Sequence, residues 1–277
     1  MKSNIYFTLL GLGFAFFLFS CKKDKNNTSP KIETPEKIAS APELGNLSYD
    51  FVYRPVLFDF TSTGCPGCGS WGKPTFKNLI AQYDNLIVPI AVHIKYGDPM
   101  ITNISEAIAD NRYESFYTPQ LWVSDSIAMV LVNNNINSAA SIDRANLLIN
   151  RPSKTTGASI AAKMTIKENK AFIKYGISLN AEFEAGNYFL SAYLMENGLS
   201  FNQASSSSNP TIHDNVIKAA ADGTWGKSII KKENESLTKE FLHTFEKSIN
   251  SNQYITILLW KESGNRYQVI NAISAKN

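Results

Sequence analysis

Cysteine is scarce in this chain: three residues in 277, at positions 21, 65 and 68. Charge is sparse too, at 18% of residues with a formal net charge of +3, and this gives no ground for nucleic-acid binding. Lys22, Lys23 and Lys25 make only a short solvated run. Long apolar runs are also missing. The longest, 5–19, is about fifteen residues, too short to span a bilayer and the right size for the core of a signal peptide. His213 and Asp214 have no serine or cysteine nucleophile beside them, so a hydrolase triad is unsupported. No cofactor and no nucleic-acid partner are expected.

The most informative motif present is Cys65-Pro66-Gly67-Cys68, placed where the apolar run 56–60 gives way to a helical pattern. Two cysteines two residues apart at a strand-to-helix junction form a redox pair. The partial positive charge of a helix N-terminus stabilises a thiolate and lowers the pKa of the first cysteine. Asp59 lies in the otherwise apolar strand ahead of the pair, where burying a carboxylate is costly without a purpose.

These residues resemble the thioredoxin superfamily, in which an aliphatic-Asp-Phe strand precedes the active site and its Asp acts as a buried proton acceptor. Here the matching residues are Phe58-Asp59-Phe60. Gly64 stands where that superfamily often has tryptophan, and Pro66-Gly67 inverts the familiar Gly-Pro. The resemblance extends to Thr118-Pro119, because the superfamily places a cis-proline at the start of the strand facing the cysteines. Physically, proline is tolerated at a strand's first residue, and cis bonds are essentially confined to X-Pro.

Leu18-Phe19-Ser20-Cys21 resembles a bacterial lipobox, which implies a signal peptide over 1–20 and acylation of Cys21. Several acyl chains on one residue would anchor the protein stably in a lipid bilayer. Residues 21–47 then read as a flexible tether, without hydrophobic periodicity.

Two bodies follow. Residues 48–151 alternate strands and helices: strands at 54–60, 86–94, 120–123 and 127–132, and helices at 73–83, at 105–113 and from a cap at Ser138 to about 150. The order βαβαββα is that of a minimal thioredoxin-like α/β domain. Near Arg151-Pro152-Ser153 the pattern changes to alternation of period two, and 152–277 reads as an all-β immunoglobulin-like sandwich. Leu237, Phe241, Phe245 and Ile249 fit a helical stripe as well as a strand, and strand is expected from their neighbours. Ser205–Ser208 reads as a mobile loop.

The mature chain resembles the twenty-eight-kilodalton outer membrane protein family of Gram-negative surface lipoproteins. The resemblance is carried by 56–68, by Val92-His93 with Gly97-Asp98-Pro99, and by His213-Asp214-Asn215-Val216-Ile217 with Gly223-Thr224-Trp225-Gly226. It implies an outer-membrane location and a thioredoxin-like half followed by an immunoglobulin-like half.

Three functions compete. In thiol–disulfide exchange with protein thiols or disulfides, Cys65 attacks, Cys68 resolves and Asp59 takes the Cys68 proton; Pro119 and Thr118 present the neighbouring strand, and Trp71 lines a substrate groove. In a surface binding or adhesion lipoprotein, the Cys65–Cys68 bridge is only a staple. In metal handling, Cys65, Cys68 and His93 would serve as ligands, although no fourth ligand is evident.

Overall fold

The computed structural model describes residues 42–112, 117–150, 157–246 and 249–277. The expected signal peptide, Cys21, the tether up to residue 41 and the expected boundary at 151–153 lie outside these residues.

The first half is organised by two strands, β1 (Val56–Thr61) and β2 (Val88–His93), that pair in parallel with Asp59 opposite Ala91. Both are nearly continuous apolar runs because the sheet is covered on both faces. Between them α1 (Lys73–Tyr83) buries Phe76, Leu79 and Tyr83 of the apolar stripe that the spacing also gives to Ile80, which is partly buried. Next come α2 (Asn103–Arg112), β3 (Gln120–Val123), antiparallel to β1, and β4 (Ser126–Ile127).

Two local expectations need correction. The strand expected over 127–132 breaks after Ile127, and β5 (Leu131–Val132) folds back on β6 (Asn135–Ile136). Asn133 and Asn134 between them both take positive φ, 51° and 62°, the backbone that a two-residue hairpin requires and that asparagine tolerates. The following helix, α3 (Ser138–Ile149), is capped by Asn137 rather than Ser138: Asn137 has extended φ/ψ and its side chain accepts from the Ala140 N–H. With these changes the order βαβαββα is present, enlarged by the β5–β6 hairpin.

The second half is all strand: β7 (Ala158–Lys167), β8 (Lys170–Leu179), β9 (Gly186–Glu196), β10 (Leu199–Phe201), β11 (Thr211–His213), β12 (Val216–Ala220), β13 (Lys227–Lys231), β14 (Leu237–Phe245), β15 (Gln253–Ser263) and β16 (Arg266–Ala275). The segment with two readings is a strand, β14, paired with β8 from Leu237 to Phe245. Leu237, Phe241 and Phe245 are four apart, a spacing that keeps one face in either structure, so periodicity alone did not separate them.

The sequence leads one to expect two bodies with sheets of their own, and the structure corrects this. One nine-stranded sheet runs β16-β15-β9-β12-β2-β1-β3-β4, with β13 also on β9. The splice is β12, parallel to β2 and antiparallel to β9. Without it β2 would expose a row of unpaired N–H and C=O groups at a sheet edge. The core follows the splice: Phe58, Phe60 and Val92 from the first half share one cluster with Tyr193, Met195 and Trp260 from the second. A separate three-stranded sheet, β14-β8-β7, packs on the far part of the large sheet through Ile173, Tyr175, Tyr188 and Ile257, so the face-to-face packing of a sandwich is present there.

Candidate functional site

After β1 the chain turns through Ser62–Pro66, and Cys68 opens a wide helical turn, Cys68–Gly72, that runs into α1. Cys65 and Cys68 are joined as a disulfide. The Cys65 carbonyl accepts from the N–H groups of Cys68 and Gly69, and the Cys68 N–H also points at the Cys65 sulfur at 3.1 Å. The first sulfur therefore lies at a helix N-terminus, where the peptide dipoles favour its thiolate once reduced. Both cysteines are buried, Cys65 5% exposed and Cys68 fully enclosed.

Asp59 is 2% exposed on the same strand that leads into the pair. Burial pushes its carboxyl up to about 7, against a smaller pull downward from the Lys73 ammonium. Burial and the neighbouring Lys77 charge in turn bring Lys73 down to about 8. Near neutral pH, Asp59 therefore exchanges a proton readily, the property a buried proton acceptor needs.

Thr118-Pro119 is a cis peptide, as the sequence led us to expect. The Pro119 ring lies flush on two glycines of the cysteine segment. A Cβ at Gly67 would come within 3.0 Å of Pro119 Cδ, and one at Gly72 within 2.8 Å of Pro119 Cβ and 3.7 Å of Asp59 Oδ1. Gly72 thus adjoins both Pro119 and Asp59, and Cys65, Cys68, Asp59 and Pro119 occupy one neighbourhood. Trp71 is different: it is half-buried against the core cluster containing Phe76 and Leu121.

His93 is buried, with Nδ1 2.8 Å from Asp98 Oδ2. Asp98 also accepts from the Thr63 and Met100 N–H groups, 2.7 and 2.8 Å away. Burial opposes ionisation of Asp98, but the His93 contact and these two N–H groups outweigh it and hold the carboxyl below its ordinary value. His93 thus helps anchor the cysteine loop. Among the described residues no group of three or more His, Cys, Asp or Glu side chains is arranged to hold a metal ion. The set Cys65, Cys68 and His93 is not assembled, because the sulfurs bind each other and the imidazole binds Asp98.

The second half contributes residues whose place in this site the sequence did not reveal, His213 and Asp214 from its motifs and Gln203 from outside them. His213 stands 5.3 Å from His93, ring centre to ring centre, and burial with the nearby Lys73 charge brings it down to about 4. A cavity of about 360 Å³, lined among others by Asp59, Lys73, Phe76, His93, His213 and Asp214, lies between α1 and this seam. Just ahead of the loop at Ser205–Ser208, Gln203 and Ala204 form a strap on the cysteine loop. Gln203 Nε2 donates to the carbonyls of Ser62, Cys65 and Thr63, and the Ala204 N–H donates to Thr63 at 2.8 Å. No pattern marks a lone glutamine in a polar stretch; only the fold brings it to the cysteines.

The family described as outer membrane protein Omp28 matches residues 118–277, more than half of the chain. The chain belongs to the Omp28 family. The match begins at Thr118 and takes in His213 and Trp225, while Asp59, Cys65, Cys68 and His93 precede it. Membership places the protein in the cell envelope, at the outer membrane. Among the described residues no helix is long and apolar enough to cross a membrane.

Among solved structures the chain is similar to HBP35 of Porphyromonas gingivalis, at 17% identity and a TM-score of 0.58 over 82% of this chain and 76% of that one, a likeness of fold. A domain of the outer membrane lipoprotein Omp28 from Porphyromonas gingivalis matches at 15% identity and a TM-score of 0.32 over 44% of this chain and 88% of that one. No curated protein matches the chain.

Proposed function

We propose that this Omp28-family protein is a lipid-anchored thiol–disulfide exchange protein of the outer membrane, with a thioredoxin-like first half held out from the bilayer by acylated Cys21 and the tether over 21–47. The observation that carries the reading is the Cys65–Cys68 disulfide at a helix N-terminus, with Asp59 buried alongside and Pro119 lodged on the same segment. The strand order β2-β1-β3-β4 is the one a thioredoxin-like domain requires.

In the reducing direction the Cys65 thiolate attacks a substrate disulfide. A mixed disulfide forms and one substrate sulfur leaves as thiolate. Asp59 then takes the Cys68 proton, and the Cys68 sulfur attacks Cys65. The second substrate sulfur leaves, the substrate is reduced and the Cys65–Cys68 bridge is restored. The oxidising direction is the reverse, started by a substrate thiolate attacking Cys65 and expelling the Cys68 sulfur as thiolate. A four-residue loop constrains the unfolded chain little, so stability is a weak reason to keep this bridge.

A Cys68→Ala protein, expressed with its own signal peptide, tests the reading. It should accumulate mixed disulfides on Cys65 that the Cys65→Ala, Cys68→Ala protein lacks. A second reading, a surface-binding lipoprotein with a structural bridge, is favoured by the burial of Cys65 and the strap across its loop. No trapped partner, together with a Cys65 that alkylates like a free thiol, would establish that reading instead.

A further inference from the structure

We infer that Gln203 is a positioning residue of the Cys65–Cys68 pair, tuning from the second half of the chain the thiolate stability of Cys65 and with it the reduction potential of the bridge. The inference rests on the exchange reading above and names a residue that controls it.

Three backbone carbonyls, those of Ser62, Cys65 and Thr63, converge on one side-chain nitrogen at 3.0, 3.1 and 3.2 Å. Gln203 is 1% exposed, so little water reaches this cluster to replace it. An amide NH₂ has two hydrogens, and here they serve three acceptors that include the carbonyl of the attacking cysteine. One of these carbonyls belongs to Cys65 and another, that of Ser62, accepts from the Cys65 N–H at 3.2 Å, so the negative ends of the three dipoles gather in the buried loop that carries the sulfur and oppose a negative charge there. Donation from Gln203 offsets them.

The glutamine is itself fixed. Its N–H donates to Asn209 Oδ1 at 2.8 Å, and the next residue, Ala204, is tied to Thr63. The strap is also flush with the first turn after Cys68: a Cβ on Gly69 would stand 2.0 Å from the Ala204 carbonyl oxygen. Gln203 is therefore held at the cysteine loop by β10, β11 and the loop between them. A tie that only stabilised the loop would not need its donor centred on a set of carbonyls that includes that of the reactive cysteine.

The test uses the full mature chain reduced with dithiothreitol, in wild-type form and as Gln203→Leu, Gln203→Asn and Gln203→Glu. Iodoacetamide alkylation of Cys65 is followed across pH, the bridge is equilibrated with glutathione, and urea unfolding is run in parallel. Gln203→Leu keeps the bulk and loses the donors. Its alkylation midpoint should rise and its rate at pH 7 should fall roughly three- to tenfold, the range expected for losing a neutral hydrogen bond. Its glutathione equilibrium should move in the same sense, towards the disulfide. Gln203→Glu, which replaces donor by charge, should move further, and Gln203→Asn should lie between wild type and Gln203→Leu.

Loss of unfolding stability with an unchanged alkylation midpoint and glutathione equilibrium would make Gln203 a structural tie and overturn the inference. If Gln203→Leu does not fold, the order of wild type, Gln203→Asn and Gln203→Glu decides in the same way. The midpoint needs only reduced protein. A Cys68→Ala protein that traps no partner therefore sinks the exchange reading, whereas a wild type that exchanges while the Gln203 variants titrate alike sinks this one.

Discussion

The Ala91 N–H donates to the Asn215 carbonyl at 2.8 Å, and this contact splices the two halves of the chain into one sheet. Asn215 also takes the Asn197 side chain on its own N–H and the Tyr254 hydroxyl on Oδ1, at 2.8 and 2.7 Å. It does so at a φ of 60°, a left-handed backbone that asparagine tolerates better than most residues. The motif residues His93, Asp98, His213 and Asn215 all lie at or beside this seam, on the flank of the cysteine loop.

Asn215→Ala should cost roughly 2–4 kcal/mol, the sum of a lost buried hydrogen bond and left-handed strain on alanine. Urea unfolding should remain a single transition shared by both halves, because they have a sheet and a core cluster in common. Two resolved transitions in the wild type would show that the splice does not couple them.

Arg112 supplies a second test of the joint core. It is buried, pairs with Asp125, and lies 5.4 Å from the ring centre of Phe58 and 5.6 Å from that of Trp260. Asp125 in turn accepts from the Val269 N–H at 3.1 Å. Asp125 is exposed, but removing it leaves the buried Arg112 guanidinium without its charge partner. Asp125→Ala should therefore destabilise by about 1–3 kcal/mol, and by more than the double variant Arg112→Met, Asp125→Ala, in thermal or urea unfolding. Equal losses in the two would show that Arg112 is solvated without its partner.

Much of the first half was legible because its signals are local. Apolar runs gave β1 and β2, the stripe Phe76, Leu79, Ile80 and Tyr83 gave α1, and cysteine spacing gave the bridged pair. Pro119 followed from a resemblance rather than from any local pattern. The splice was not legible: β12 alternates like any short strand, and nothing in Val216–Ala220 says that its neighbour is β2. The strap was hidden for the same reason. Gln203 acts through three carbonyls, and carbonyls carry no sequence signal.

Asp59 and His213 should bend the pH dependence of stability in opposite directions. The native Asp59 carboxyl, raised to about 7, keeps its proton while the unfolded chain loses it from about 4 upward, so stability falls with rising pH over that window. Asp59→Asn should gain roughly 2–4 kcal/mol over wild type at pH 8 and almost nothing near pH 4. His213, lowered to about 4, is neutral in the native state while the unfolded chain binds a proton below about 6.5, so it withdraws stability as pH falls towards 4. His213→Gln should therefore be relatively more stable at pH 4.5 than at pH 8. Urea midpoints at pH 4.5, 6 and 8 would show both trends, and parallel curves for all three proteins would refute them.

Gly69→Ala perturbs the strap without replacing a cysteine, a carboxylate or Gln203, although its Cβ would also meet Gln203 Cγ at 3.0 Å. In a helical turn, alanine in place of glycine ordinarily stabilises by about 0.5–1 kcal/mol. Here its Cβ would stand 2.0 Å from the Ala204 carbonyl oxygen and 2.9 Å from the Ser206 nitrogen, both backbone atoms that cannot rotate aside. Overpacking of this kind costs about 1–3 kcal/mol, so the clash should win and the variant should be less stable. The strap should also lift, so the Ala204 amide, now bonded to Thr63, should exchange with solvent faster. Reduction of the bridge by dithiothreitol should then speed up as Cys65 becomes accessible. Gly64→Ala is the control: its Cβ would meet Tyr96 Cβ at 3.0 Å rather than a strap atom, and it should raise Ala204 exchange less than Gly69→Ala does. If Gly69→Ala exchanges and is reduced like wild type, the strap yields without cost, and the burial of Cys65 must come from Pro119 and the loop itself.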